Sequence, residues 1–292
     1  MLAQQIVNGL LLGATYALFA LGFTLTFGVL RVINLTYGFY FTAGAFVAWY
    51  LTRGGAGLAL ALPASAVAAG GIAVVLDTLL LTRLRRARAD ELASLMVTLG
   101  AVLALYAGMT ALLGADIRRL PPGVLGSAAI ALGPVRVTQA QLLILGAAAV
   151  MAGGLVWLVR FSRIGLGIRA VAENPEAAGL MGIDAARIAV LVSFVSGALA
   201  GAGGVLIGLA FNAIHPYMGE QMMLRGFVVV ILGGLGDIFG ALVAGLLLGV
   251  VEVLTAAYLA SGLKEAVAFA LLVLVLWTRP AGLFGRPPPR RA

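Results

Sequence analysis

Residues 227–254 read FVVVILGGLGDIFGALVAGLLLGVVEVL. Apolar runs lie on both sides of GGLGD, and both continue without the alternation of polar and apolar residues that a half-buried strand would show. They read as membrane-compatible helices. Gly233, Gly234 and Gly236 with Asp237 interrupt them, and in a bilayer broken backbone is tolerated only where protein or water satisfies its polar groups. The stretch therefore predicts two helices joined at a break or re-entrant turn. Glu252 lies inside the second run, where a charge is expensive and marks function by default. The alternative is a paired or protonated carboxyl that fixes helix packing.

The rest of the chain repeats this pattern. Of 292 residues 62% are hydrophobic and 10% are charged, proportions far from those of a soluble domain. Apolar runs near 5–30, 36–52, 59–82, 93–113, 139–160, 187–211, 217–235, 240–260 and 263–279 approach the ~20 residues that cross a hydrocarbon core as a helix. The fold class expected is all-α, a polytopic transmembrane bundle of eight or nine spans forming one domain over residues 1–292. The 40 glycines suit close approach of helix backbones, as small residues do in membranes.

Charge sets an orientation. With the carboxyl tail from residue 280 to 292 inside, thirteen basic residues fall on the cytoplasmic side, at positions 31, 83, 85, 86, 88, 160, 163, 169, 187, 279, 286, 290 and 291. Six remain for the other side: Arg53, Arg118, Arg119, Arg136, Arg225 and Lys264. The positive-inside rule favours this arrangement, with 114–138 an external loop and 161–187 a cytoplasmic one. The formal charge of +8 then reads as topology and contact with anionic lipid, with no call for nucleic acid. The chain has no cysteine and one histidine, His215, so thiolate chemistry and a His-pair metal site are excluded. The external loop contains AIALGPVRVT, whose alternation around Gly-Pro predicts a small hairpin. Asp77 precedes Arg83 by less than two helical turns and is expected to pair with it. His215-Pro216-Tyr217 reads as a solvated turn in an outer loop. Asn34, Thr36 and Tyr37, with Thr15, Tyr16, Thr24 and Thr98, are candidate pathway linings, although threonine in membrane helices often bonds its own backbone.

One segment between spans is polar and punctuated: IRAVAENPEAAGLMGID, residues 168–184. Asn174 followed by Pro175 is a helix start, and Glu176 suits the first turn. Gly182 is placed to end the helix in a left-handed conformation, and Asp184 to cap the next span. Ala177, Leu180 and Met181 share a face. So short a helix is unstable alone and must be ordered by its attachment or by a partner. Glu176-Ala177-Ala178 with Gly182 resembles the EAA loop by which ABC-importer permeases dock on their ATPase subunits; an interfacial connector is the alternative reading.

Five blocks, GVLRVINLTYGFYFTAGAFVAWYL from Gly28, GIRAVAENPEAAGLMGID from Gly167, GALAGAGGVLIG from Gly197, the stretch from Phe227 and RPAGLFG from Arg279, together resemble the inner-membrane permease subunit of branched-chain amino acid ABC importers. The resemblance implies a pathway subunit in the bacterial inner membrane, paired with a second related permease, two cytoplasmic ATPases and a periplasmic binding protein. It also implies that residues 174–182 couple the pathway to the ATPases. Similar permeases import urea, short amides or other small carboxylates and amino acids, so the solute class stays open. No G-x-x-x-x-G-K-[ST] stretch is present, so no cofactor is expected here and ATP belongs to the partners. A proton-coupled secondary transporter using Glu252 is the competing class. A membrane-embedded hydrolase lacks an intramembrane histidine.

Overall fold

In the computed structural model, which describes residues 2–86, 90–121, 129–132 and 135–285, the chain is almost entirely helical. The order is α1 (Leu2–Leu30), α2 (Tyr37–Arg53), α3 (Leu58–Leu76), a π-helical turn (Asp77–Leu81), α4 (Thr82–Arg86), α5 (Glu91–Leu113), β1 (Ala129–Leu132), β2 (Val135–Thr138), α6 (Gln139–Phe161), α7 (Arg163–Glu173), α8 (Pro175–Leu180), α9 (Ala185–Phe211), α10 (Met218–Gly233), α11 (Ile238–Tyr258), a 3-10 turn (Ser261–Leu263) and α12 (Lys264–Thr278). The expected hairpin forms, with β1 antiparallel to β2 and Ile130 opposite Val137. Arg88, the tip of the 114–138 loop and the tail from residue 286 lie outside the described residues.

Seven of the described helices are long and apolar enough to cross a membrane. The other two apolar runs become α2 and α10, of 17 and 16 residues. At 1.5 Å per residue each measures roughly 25 Å, short of a ~30 Å hydrocarbon core. They need not span it, because both begin within the bundle. Gly38 and Gly219, one residue inside each helix, face each other so closely that a Cβ on Gly38 would stand 2.7 Å from the Gly219 carbonyl oxygen. Thr42 fastens the same crossing by accepting the Gly219 amide at 3.0 Å.

Around this crossing the chain repeats itself in three dimensions. α1 packs on α11 as α9 packs on α3, and α2 lies against α9 and α3 as α10 lies against α1 and α11. Six residues separate α1 from α2 and α9 from α10, and four separate α2 from α3 and α10 from α11. The two non-glycine residues with positive φ, Arg31 (52°) and Asn212 (46°), occupy equivalent places 181 positions apart, as 212 − 31 gives. Gly55 (87°) and Gly236 (86°) are equivalent by the same spacing, 236 − 55. The end of α1 meets the segment just before α9, since Arg31 bonds the carbonyls of Ala172 and Glu173, so the two units run in opposite directions. The long helices α1, α9 and α11 form the buried centre, whereas α5, α6 and α12 carry exposed leucine, valine and aromatic faces of the kind that meet lipid.

The break read at Gly233–Asp237 is a tight turn between α10 and α11. Gly234 and Gly236 take φ of 108° and 86°, and the Asp237 side chain caps α11 by accepting the Gly240 amide at 2.6 Å. The RPAGLFG segment folds over it: the amides of Leu283 and Phe284 donate to the carbonyls of Leu232 and Gly233 at 2.9 and 3.1 Å. The turn is thus satisfied by protein.

Asp77 pairs with Arg85, at 3.0 and 2.7 Å through both guanidinium nitrogens, and Arg83 stays exposed. The π turn explains the correction. It inserts extra residues into the helical path, so the side chain that comes round to Asp77 lies further along the chain than an ideal α-helix would place it.

Candidate functional site

Two polar features are built into this scaffold, one at each end of the bundle. The first is the segment from α7 through α8. Ser162 starts α7 by accepting the Gly165 amide at 2.9 Å, and Arg169 closes the end of α6 through the carbonyls of Val159 and Arg160. Gly165, Gly167, Ile168 and Val171 make the buried face of α7. Asn174 then caps α8 through the amides of Glu176 and Ala177, at 2.9 and 3.0 Å, with Pro175 in the first turn. Gly182 (φ 82°) ends it: its amide reaches the Gly179 carbonyl and the Ile183 amide reaches that of Ala178, both at 3.0 Å, satisfying carbonyls a helix end leaves free. Asp184 caps α9 in turn by accepting from Ala186 at 2.9 Å. The segment read from the sequence as capped is capped at every junction.

Its faces differ in character. Ala177 is exposed, and Leu180 and Met181 are 90% and 83% exposed. Ala178, at 4% exposed, packs into the protein's own core and is not presented. Glu176 is exposed beside the ridge. Two large apolar side chains therefore project from a helix shorter than two turns, held between α7 and α9. Through Arg31 the end of α1 is tied to the same segment.

The second feature lies toward the opposite end, between α1, α10, α11 and α12. Glu252 is buried about two turns from the end of α11, not at its middle, and accepts from the Tyr16 hydroxyl at 2.7 Å. Arg225 of α10, read from the sequence as an outer-side charge, instead stands inside the cleft, with Nε 3.8 Å from Glu252 Oε1 and a terminal nitrogen 3.7 Å from Glu265. Its guanidinium also lies over the Tyr16 ring, 5.8 Å from the centroid. Arg225 escaped the sequence reading because it was counted with the outer-side charges although it lies within the 217–235 run. The signal that could have found it is a second charge inside an apolar run, which needs a partner. His215, in the loop before α10, lines the same cleft, and partial burial holds its imidazole below the ordinary value.

The remaining pathway candidates do not join this cleft. Asn34, Thr36 and Tyr40 close on one another at the start of α2: the Thr36 amide and hydroxyl donate to Asn34 Oδ1 at 3.0 and 2.5 Å, and Thr36 meets the Tyr40 hydroxyl at 2.7 Å. Tyr37 shares its hydroxyl between the carbonyls of Phe19 and Ser196, joining α1 to α9. Thr98 donates to the Ser94 carbonyl of its own helix, and Thr15 to that of Leu12. Tyr37, Thr98 and Thr15 thus bond backbone carbonyls, as intramembrane hydroxyls commonly do, Asn34, Thr36 and Tyr40 satisfy one another, and the buried Thr24 hydroxyl has no hydrogen-bond partner among the described residues.

Comparison with known proteins gives a coherent result. The family described as "Branched-chain amino acid transport system / permease component" matches residues 5–276. LivH of Salmonella typhimurium, a high-affinity branched-chain amino acid transport system permease protein, is 33% identical across 97% of this chain and 96% of the relative. BraD of Pseudomonas aeruginosa, named in the same terms, is 31% identical across the same shares. The nucleoside ABC transporter permease protein NupB of Lactococcus lactis is 38% identical over a shorter stretch, 30% of this chain and 25% of the relative. No solved structure matches.

Proposed function

This chain belongs to the family of branched-chain amino acid transport permease components, and on that footing we propose that it forms part of the pathway for branched-chain or related small amino acids in an ATP-driven importer. It is a multi-pass inner-membrane protein with the helices to match. In this reading a second, related permease completes the pathway, two cytoplasmic ATPases supply the energy, and a periplasmic binding protein delivers the solute. The chain itself turns over no ATP and holds no cofactor.

The observation that carries the proposal is the exposed Leu180–Met181 ridge on a helix fixed at both ends. The end of the bundle bearing α8 faces the cytoplasm, as the basic residues favour. An ATPase groove covers the ridge, and movement of that groove turns α8, which is joined through Asp184 to α9 and, through α7 and its contact with Arg31, to α1. α1 and α9 pack against each other and against α10 and α2 respectively, so a shift at α8 reaches the centre of the bundle. Capping at Asn174, between α7 and α8, suits the role, because a frayed helix would absorb the movement.

The test is uptake of radiolabelled branched-chain amino acid into vesicles containing this permease with its partners. Uptake is expected only with ATP, both ATPases and binding protein present. Uptake by the permease pair alone, driven by a proton gradient, would contradict the proposal and favour a secondary transporter.

A further inference from the structure

The cleft around Arg225 is not needed for docking at α8, and it has unused binding capacity. Arg225 borders three adjoining cavities of ≈ 370, ≈ 240 and ≈ 90 Å³, and Glu252 borders the first and third of them. Glu252 Oε2 is engaged by Tyr16, but the buried Oε1 accepts no hydrogen bond among the described residues. The guanidinium of Arg225 stands 3.8 Å from that oxygen and 3.7 Å from Glu265. Both separations exceed the ~2.7–2.9 Å of a charge-assisted hydrogen bond. A cation and an anion are thus held near each other at the cavity wall, each able to form hydrogen bonds it does not now make. Next to them Leu224, Val228, Leu248, Ala268 and Phe269 line the smallest cavity.

We propose that Arg225 and Glu252 form a binding site for a zwitterionic α-amino acid with an apolar side chain. The guanidinium takes the carboxylate, Glu252 Oε1 takes the ammonium, and the side chain enters the cavity between α10, α11 and α12. The inference rests on the reading of the chain as an amino acid permease and adds the recognising groups. A zwitterion brings no net charge into the cleft and answers both protein charges at once. A solute lacking either charged group dehydrates the cleft while leaving Arg225 or Glu252 only its long ion-pair contact, and that penalty is a means of rejection. An uncharged amide can hydrogen-bond to both but neutralises neither charge.

The test uses purified permease in lipid nanodiscs, titrated with L-leucine, with 4-methylpentanoate, which lacks the ammonium, and with 3-methylbutylamine, which lacks the carboxylate. Leucine is expected to bind at least about 10-fold more tightly than either analogue. Glu252→Gln should weaken leucine by about the same factor and leave 4-methylpentanoate unchanged, whereas Arg225→Gln should weaken leucine and leave 3-methylbutylamine unchanged. The analogue series on the native protein stands even if a variant misfolds. No saturable leucine binding at millimolar concentration, analogues as tight as leucine, or monodisperse variants with native affinity would each overturn the site. The same preparations, assembled with the partners in vesicles, separate the two ideas. ATP-dependent leucine uptake without leucine binding sinks the site and leaves the permease reading intact, while absence of any ATP-dependent amino acid uptake sinks the reading itself.

Discussion

Replacing Gly38 by alanine places one methyl group at the crossing of α2 and α10. Its carbon would lie 2.7 Å from the Gly219 carbonyl oxygen and 3.1 Å from the carbonyl carbon, both backbone atoms that no rotamer change can move aside. The helices must separate by several tenths of an ångström. Overpacking of this kind costs about 1–3 kcal/mol, and stretching the Thr42–Gly219 hydrogen bond removes about 1 kcal/mol more. Alanine returns ~1 kcal/mol through helix propensity, leaving a net loss of about 1–3 kcal/mol. For a chain of this size that is a fall of roughly 3–10 °C in melting temperature. The comparison is Gly100→Ala on α5, where a Cβ meets nothing within 4 Å and stability should hold or rise. Thermal unfolding of both variants in one detergent reads the difference. Equal melting temperatures for the two would refute the claim that the short helices are locked at this point.

Three further outcomes are expected. Because the chain has no cysteine, single substitutions report topology: an impermeant thiol reagent added to oriented cells should reach Ile117→Cys, which is exposed, and not Met181→Cys, and the reverse pattern would invert the orientation. Asn174→Ala removes two capping contacts and should destabilise α8 by about 1 kcal/mol, seen as faster hydrogen exchange over 175–182 with the spans unchanged; exchange at the native rate would mean that the cap does not hold the helix. Asp77→Asn breaks the bidentate pair between a carboxylate 1% exposed and an arginine side chain, that of Arg85, 27% exposed, and should lower thermal stability by less than the ~3–5 kcal/mol of a fully buried pair, whereas Arg83→Gln should have little effect; equal effects would return the pairing to Arg83.

How much of this was legible beforehand follows from what each residue's role depends on. Spans are set by local hydropathy, and seven of the nine runs coincide with described helices long and apolar enough to cross a membrane. Caps are local too, so Asn174, Gly182 and Asp184 could be placed from neighbouring residues alone. The shortness of α2 and α10 was only hinted at, because apolar length does not say where a helix begins in the bundle. The repeat was hard to read: a few glycines recur, at 38 and 219 and at 55 and 236, but equivalent positions also pair arginine with asparagine at 31 and 212, so what is preserved is mainly backbone conformation and helix contact. Glu252 stood out as an intramembrane acid, but its partners Tyr16 and Arg225 lie on other helices, 236 and 27 positions away as 252 − 16 and 252 − 225 give, and spacing along the chain carries no sign of them. Asp77 was assigned the wrong arginine because the π turn changes the period on which the pairing was reckoned. Ala178 shows the same boundary on a smaller scale: the motif that includes it is legible, while the face it turns inward depends on how α8 is set against α9.

The central claim is that α8 is the contact through which ATPases drive this permease, and Leu180→Asp tests it most directly. Leu180 is 90% exposed, so the substitution leaves the permease's own core untouched, yet it puts a charge into the interface that the account requires. A fully buried, unpaired carboxylate there would weaken docking by several kcal/mol. The measurement is co-purification of the ATPases with the affinity-tagged permease, together with ATP turnover stimulated by binding protein. The Leu180→Asp permease is expected to insert and purify normally but to lose its ATPases and the stimulated turnover. Native co-purification with native stimulated turnover would contradict the central claim and leave α8 a connector at the membrane surface.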